Sequence, residues 1–196
     1  MKLNWHQIQS VGSRSYTCGY CGQQVASEKG YFANENGRND IRGFIYICHF
    51  CSKPTYFDEF NHQTPGSKFG NDVSGIDDAG VVSLYNEARN CFATNSFTAV
   101  VLCCRKLLMH ISVSKGAKEG KQFIEYVEFL SNNHYIPPDA NGWVDHIRSK
   151  GNEANHEIVI MSEQEAKDLI SFMEMLLKIL YEFPSNIKGK ISKPKT

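Results

Sequence analysis

The sequence lacks both an excess of charge of either sign and a long apolar run. Its 21 Lys and Arg residues balance its 21 Asp and Glu residues, so the chain as a whole is not a polybasic binder of phosphates. No stretch approaches the roughly 20 apolar residues of a membrane-spanning helix, and the first residues hold no apolar signal core. These absences predict a soluble, cytoplasmic protein with no membrane partner.

Charge is nevertheless unevenly distributed along the chain. Residues 76–184 contain fifteen acidic and ten basic residues, whereas residues 185–196 contain four lysines and no acid. An acidic segment is a poor non-specific binder of nucleic acid, because affinity for phosphates depends on cationic side chains. Any contact with nucleic acid is therefore expected to be local, in a pocket, in the N-terminal module or in the basic tail of residues 185–196, which we expect to be flexible.

Two C-x-x-C motifs are the strongest local signal. Cys18 and Cys21 form the first, Cys48 and Cys51 the second, and 26 residues separate the two motifs. Four thiolates suit a tetrahedral ion, zinc fits the set best, and four Cys ligands leave no open position, so one structural Zn²⁺ is predicted. Disulfides are the alternative, disfavoured because a cytosolic chain keeps its thiols reduced. Neither motif opens a helix after a strand, as a redox motif would.

Short strand-like runs accompany each motif and predict a zinc ribbon over residues 1–62. Turn-forming residues crowd the middle of this module, which should protrude as a loop. A module this small buries too little surface to fold alone, so the metal should supply much of its stability. Tyr20, Phe50 and Tyr56 have two interpretations, either exposed rings that stack on bases or the small core of the ribbon.

After a linker rich in Gly, Pro and Ser (residues 63–76), the apolar pattern becomes helical. Helical periodicity continues over residues 77–184, with the most apolar helix from Phe97 to about Val113. A capping box, Ser162 to Glu165, starts the last helix, which is expected to stop before Pro184. The predicted fold is mainly α, a bundle of five helices, or six if Gly151 breaks one, preceded by the small β zinc ribbon.

One stretch of this bundle carries candidate chemistry. Arg148, Asn152 and His156 are each four residues apart and would form one stripe on a continuous helix. A cation, an amide and an imidazole in a row could hold a phosphate and move a proton. The alternative is structural, since Arg and His on helices often pair with nearby carboxylates or cap a helix end.

Several strings in the bundle together resemble the domain of unknown function 4145, over about residues 80–184. They include Tyr85-Asn-Glu-Ala88 and Arg148-Ser-Lys-Gly-Asn152, the latter followed by His156. That family is similar to the HEPN superfamily of helical domains. The resemblance implies an N-terminal Cys-rich ribbon, a setting in bacterial defence, and a homodimer whose Arg-x(4–6)-His motif cleaves RNA without metal. Seven residues separate Arg148 from His156, and five separate Lys150 from it, so both cations are candidates.

Two functions of different classes follow. The first is a non-catalytic homodimeric module that binds a nucleic acid or a partner protein in a bacterial defence or stress system. The second is a metal-independent endoribonuclease acting through Arg148, Lys150, Asn152 and His156. In this reading His156 would exchange a proton with the ribose or the leaving oxygen, and a cation would stabilise the phosphate. A zinc enzyme is disfavoured, because the four cysteines already fill one zinc.

Overall fold

The computed structural model describes residues 3–35, 40–137 and 160–191. The chain divides into two compact units, one of residues 1–68 with 93–95 and the other of residues 69–92 with 96–196. We call them the N-terminal unit and the helical unit. The N-terminal unit contains one antiparallel sheet in which each strand pairs with the next along the chain. Its strands are β1 (Gln9–Thr17), β2 (Gln24–Asn34), β3 (Ile41–Ile47), β4 (Pro54–Asp58) and β5 (Gln63–Thr64).

The prediction of a mainly α chain is wrong, because this five-stranded sheet makes the fold mixed α/β. The difference between the predicted and the observed fold lies largely in strand β2. Its eleven residues, Gln24–Asn34, are mostly small or polar and do not alternate as a typical half-buried strand does. They are strand because β1 and β3 pair with them on both sides, which is a long-range cause that no local pattern reports.

The core of the N-terminal unit is small and aromatic. Tyr16, Tyr46 and Phe57 come from three different strands and bury almost completely, with ring centroids 5.3 Å apart for Tyr16 and Phe57 and 5.8 Å for Tyr46 and Phe57. Cys18 and Cys48 complete the same cluster. A core of this size gives little hydrophobic stabilisation.

The helical unit contains four continuous helical segments among the described residues. Three are single helices, and the fourth begins as an α-helix, passes through a π-helical turn (Lys178–Glu182) and continues as another α-helix without a break. The prediction of five or six helices is therefore wrong. The α-helices are α1 (Ala79–Ala93), α2 (Phe97–Ser114), α3 (Phe123–Asn132), α4 (Glu163–Leu177) and α5 (Phe183–Ile191).

The start of the last segment was predicted correctly, but its end was not. Ser162 and Glu165 form the capping box, in which the Ser162 side chain accepts from the Glu165 N–H. The segment does not stop before Pro184. The N–H of Phe183 bonds to the Lys178 carbonyl five residues back, and Pro184 then lies in the first turn of α5, where a missing N–H is tolerated.

The predicted central helix is confirmed as α2, which contacts both α3 and α4. Its inward face includes Val100, Leu107 and Ile111, all with no exposed surface. Within the described residues, α2 is the one helix long and apolar enough to cross a membrane by length and composition. Such a helix is weak evidence for a span, since a core helix has the same composition, and α2 lies in the core of its unit.

Residues 69–76, part of the predicted linker, belong to the helical unit and are bonded to it. The Arg89 guanidinium donates to the carbonyls of Phe69 (3.2 Å) and Gly70 (2.9 Å). The Glu174 carboxylate accepts from the Asn71 backbone N–H at 2.8 Å and from its side-chain amide at 2.9 Å. This segment therefore has an ordered path, which helices α1 and α4 determine.

Candidate metal centre

The four cysteines of the two motifs come together at one end of the sheet. Cys18 follows β1 and Cys48 follows β3, so each motif lies in the turn that leads to the next strand. All four sulfur atoms lie within 4.8 Å of one another, and the Sγ atoms of Cys18 and Cys51, like those of Cys21 and Cys48, are 3.7 Å apart. A tetrahedral ion with metal–sulfur bonds of about 2.3 Å requires sulfur–sulfur distances of about 3.8 Å. The site therefore has the donor set and size to bind a metal ion.

The two motifs have the same backbone geometry. In the first, the Gly22 N–H bonds to the Cys18 carbonyl at 2.8 Å, and in the second the Ser52 N–H bonds to the Cys48 carbonyl at 2.8 Å. Gly22 and Ser52 both have left-handed backbones, with φ of 72° and 57°. We call each such turn a knuckle. This repetition positions two cysteines from each knuckle around a common centre.

Because Ser52 is the non-glycine residue at the left-handed position of the second knuckle, Ser52→Gly should stabilise the N-terminal unit. Relief of left-handed strain should exceed the entropy cost of glycine, for a net gain of about 0.5–1 kcal/mol. The Trp5 indole N–H donates to the Ser52 carbonyl at 2.8 Å, and this backbone acceptor remains in the variant. Urea unfolding of the metal-loaded protein, followed by the backbone amide NMR signals of β1–β5, measures the change.

Gly22→Ser is the matched reverse substitution. No atom lies within 4 Å of an added Cβ at Gly22, so only backbone strain should change, with a loss of about 1 kcal/mol. A shift in the same direction for both variants would contradict the strain argument.

The electrostatics of the site favour a bound cation. Burial raises the pKa of Cys21, and burial together with the neighbouring thiols raises that of Cys51 to about 12. At Cys48, burial acts in the same direction, but hydrogen bonds from the backbone N–H groups of Cys51 and Phe50 outweigh it and lower the pKa. Four thiolates so close together repel one another, and a metal ion removes that repulsion by binding all of them.

Tyr20, Phe50 and Tyr56, which the sequence left as either exposed rings or core residues, lie on the surface. Tyr20 and Tyr56 are each 42% exposed and Phe50 is 57% exposed, whereas other rings form the core. Tyr20 and Phe50 occupy the same position in their knuckles, directly before the second cysteine. The Lys53 ammonium lies over the Tyr20 ring, 4.8 Å from its centroid. Each knuckle thus presents one exposed aromatic ring.

A groove of about 690 Å³ lies beside the second knuckle. Trp5, His6, Lys29 and His49 contribute to its lining. The Trp5 ring is held by its bond to the Ser52 carbonyl and by a tilted contact with Tyr31, at a centroid distance of 6.3 Å. Sequence reasoning missed Trp5 and Lys29, because no motif connects a residue before β1 with one in the middle of β2.

Comparison with known proteins gives one match. The family model described as a domain of unknown function, DUF4145, matches residues 86–193. The chain belongs to the DUF4145 family. No curated protein and no solved structure matches it. The resemblance proposed from the sequence is therefore confirmed for the family, while the HEPN-like character, the defence setting and the cytoplasmic location stay predictions.

Most of the residues that match the DUF4145 model belong to the helical unit. The predicted catalytic residues, Arg148, Lys150, Asn152 and His156, fall within the family match but lie outside the described residues. The ribonuclease hypothesis and its homodimer therefore stay predictions. The four cysteines precede the DUF4145 match, so the candidate metal centre lies outside the family-defining region.

Proposed function

We propose that the N-terminal unit of this DUF4145 protein is a zinc-stabilised module that binds single-stranded nucleic acid. The observation that carries the proposal is the exposed aromatic ring at the same position of both knuckles, Tyr20 in one and Phe50 in the other. Two rings fixed by one metal centre provide two rigid surfaces on which successive bases can stack.

Zinc is the ion that best suits this centre. Four thiolates at tetrahedral spacing match zinc in both ligand type and geometry, and this closed set leaves no position for a substrate or water. Its role would be structural, since it joins the turns after β1 and β3 and completes a core too small to be stable by itself.

The surroundings of the two rings favour a nucleic acid over a purely apolar partner. Lys53 lies over the Tyr20 ring, and the His49 and Phe50 ring centroids are 4.5 Å apart. The groove that includes His49 also has Lys29 in its lining and is large enough for a nucleotide. A cation beside a stacking ring suits a phosphate that follows a stacked base.

The charge of the chain limits how this binding would behave. The formal net charge is zero, so few lysines and arginines are available to replace counterions along a strand. We therefore expect moderate affinity with a shallow dependence on salt concentration, in which stacking contributes more than phosphate contacts. Duplexes should bind less well than single strands, because their bases are already stacked.

The test is fluorescence anisotropy of labelled single-stranded RNA and DNA of mixed sequence with the zinc-loaded full chain. We expect Tyr20→Ala and Phe50→Ala each to weaken binding by about 5- to 150-fold, the effect of losing one stacked base. Phe60→Ala is the matched control, because Phe60 is 72% exposed in the same unit but lies outside both knuckles. Zinc content and circular dichroism should be unchanged in all three variants.

Two results would overturn the proposal. One is no binding of any single strand by the zinc-loaded protein. The other is an equal loss in Phe60→Ala and the knuckle variants, because the knuckles would then have no special part. If oligonucleotides fail but a peptide binds in a Phe50-dependent manner, the surface recognises protein instead.

A further inference from the structure

A second surface, on the last helical segment, carries an inference that does not depend on the metal centre. Ser171, Met175, Ile179 and Phe183 line a groove of about 420 Å³ along α4 and α5, together with Glu174 and Lys178, which form an ion pair with each other. Phe183 is 53% exposed and Ile187, one turn further on, is 59% exposed. We call the five residues at every fourth position from Ser171 to Ile187, which extend over about 24 Å of helix, the outer stripe.

The π-helical turn keeps the outer stripe on one face. In an uninterrupted α-helix, eight residues advance about 80° beyond two full turns, so Phe183 would rotate away from Met175. The wider turn at Lys178–Glu182 advances by only about 82° per residue and cancels most of this drift. Met175 and Phe183 therefore line the same groove, although the helix would otherwise separate them.

The charges of this segment are arranged to match a second copy of themselves. Its N-terminal part carries Glu163, Glu165 and Asp168 with one lysine, while the sequence after Ile187 carries four lysines and no acid, and two of these, Lys188 and Lys190, fall within α5. An antiparallel pair centred on Ile179 places position 168 of one copy opposite position 190 of the other, which is a lysine. A parallel pair would instead place lysines beside lysines. Charge complementarity therefore specifies both the partner and its direction.

We propose that the outer stripe is a self-association surface on which two copies pack α4 and α5 antiparallel. The arrangement is isologous, because both copies use the same surface. Every contact between one residue of the first copy and another residue of the second therefore occurs twice, with the copies exchanged. The apolar centre, Met175, Ile179 and Phe183, excludes water, and the acidic and basic ends fix the register. A single pair of helices makes a small interface, so the dimer should depend on concentration.

Sedimentation equilibrium of the zinc-loaded full chain, over about 1–500 µM, tests this surface. We expect the mass to rise from one copy toward two, and Phe183→Asp to raise the dissociation constant at least about tenfold. Because Phe183 is more than half exposed, this variant should fold normally. Leu102→Asp is the matched control, since Leu102 is 60% exposed on α2 of the same unit and lies outside the stripe.

Charge reversal tests the direction of packing. Asp168→Lys should weaken association, and a second change, Lys190→Asp, should restore it, because the two positions face each other across an antiparallel pair. A protein that stays monomeric throughout, a dimer that Phe183→Asp leaves intact, or equal effects of Phe183→Asp and Leu102→Asp would each overturn the proposal. Failure of the charge pair to recover, with Phe183 still required, would overturn the antiparallel arrangement.

Discussion

Cys48→Ser is expected to unfold the N-terminal unit while the helical unit stays folded. Cys48 has no exposed surface and belongs both to the sulfur cluster and to the small aromatic core. Structural zinc sites supply roughly 10–16 kcal/mol, which is as large as the whole stability of a typical domain at about 5–15 kcal/mol. Loss of one ligand should remove most of this stabilisation. Exhaustive chelation of the wild-type protein should have the same effect.

The measurement combines metal content by mass spectrometry with backbone amide NMR spectra before and after chelation. Cross-peaks of β1–β5 should collapse, and those of α1–α4 should remain. Cys103→Ser is the control, because Cys103 is a half-buried cysteine of α2 outside the sulfur cluster. It should keep the metal and the sheet. A Cys48→Ser protein with an intact sheet and no metal would contradict a structural role for the centre.

Arg89→Met is expected to destabilise the helical unit by about 3–5 kcal/mol, because charged hydrogen bonds contribute about 1.5–3 kcal/mol each. Its side chain is 8% exposed and donates to two backbone carbonyls, those of Phe69 and Gly70, and to Asp72. Methionine keeps the apolar stem but has no donor, so both carbonyls lose their charged partner. Thermal unfolding should shift down by about 10–20 °C.

Asp72→Asn separates the ion pair from the backbone contacts. The Asp72 side chain is 92% exposed, and an exposed ion pair contributes at most about 1 kcal/mol. This variant should therefore lower the melting temperature by no more than about 4 °C. Equal effects of Arg89→Met and Asp72→Asn would show that the segment of residues 69–76 is not held by the carbonyl contacts. Calorimetry of the metal-loaded protein distinguishes the two results.

The candidate metal centre was predictable from the sequence because its signal is chemical and local. Two cysteines three positions apart are typical of a knuckle, and two knuckles offer four sulfur ligands that could bind a tetrahedral metal ion. The capping box at Ser162 and the apolar helix from Phe97 are local for the same reason, since hydrogen bonds within a turn and periodicity within a helix need no distant partner.

Tertiary contacts decided the features that local sequence patterns leave open. Tyr20 and Tyr16 are both aromatic residues beside Cys18, yet Tyr16 packs on Phe57 and Tyr20 faces solvent. The direction of the Tyr16 side chain depends on strand pairing, which joins residues up to 21 positions apart, whereas Tyr20 lies in the knuckle turn outside the paired strands. A one-residue change of register would exchange the two faces, and no local pattern specifies the register of a small aromatic sheet.

The sequence by itself determined the family, the four candidate metal ligands and the apolar helices of this protein, because each depends on residues close together in the chain. Only the tertiary structure decided that Gln24–Asn34 is the longest strand, that Arg89 fixes residues 69–76, and that the last helix passes through Pro184. Each of these results comes from a partner group far away in sequence or from a turn geometry that relieves a local conflict. These interactions form only when the whole chain has folded.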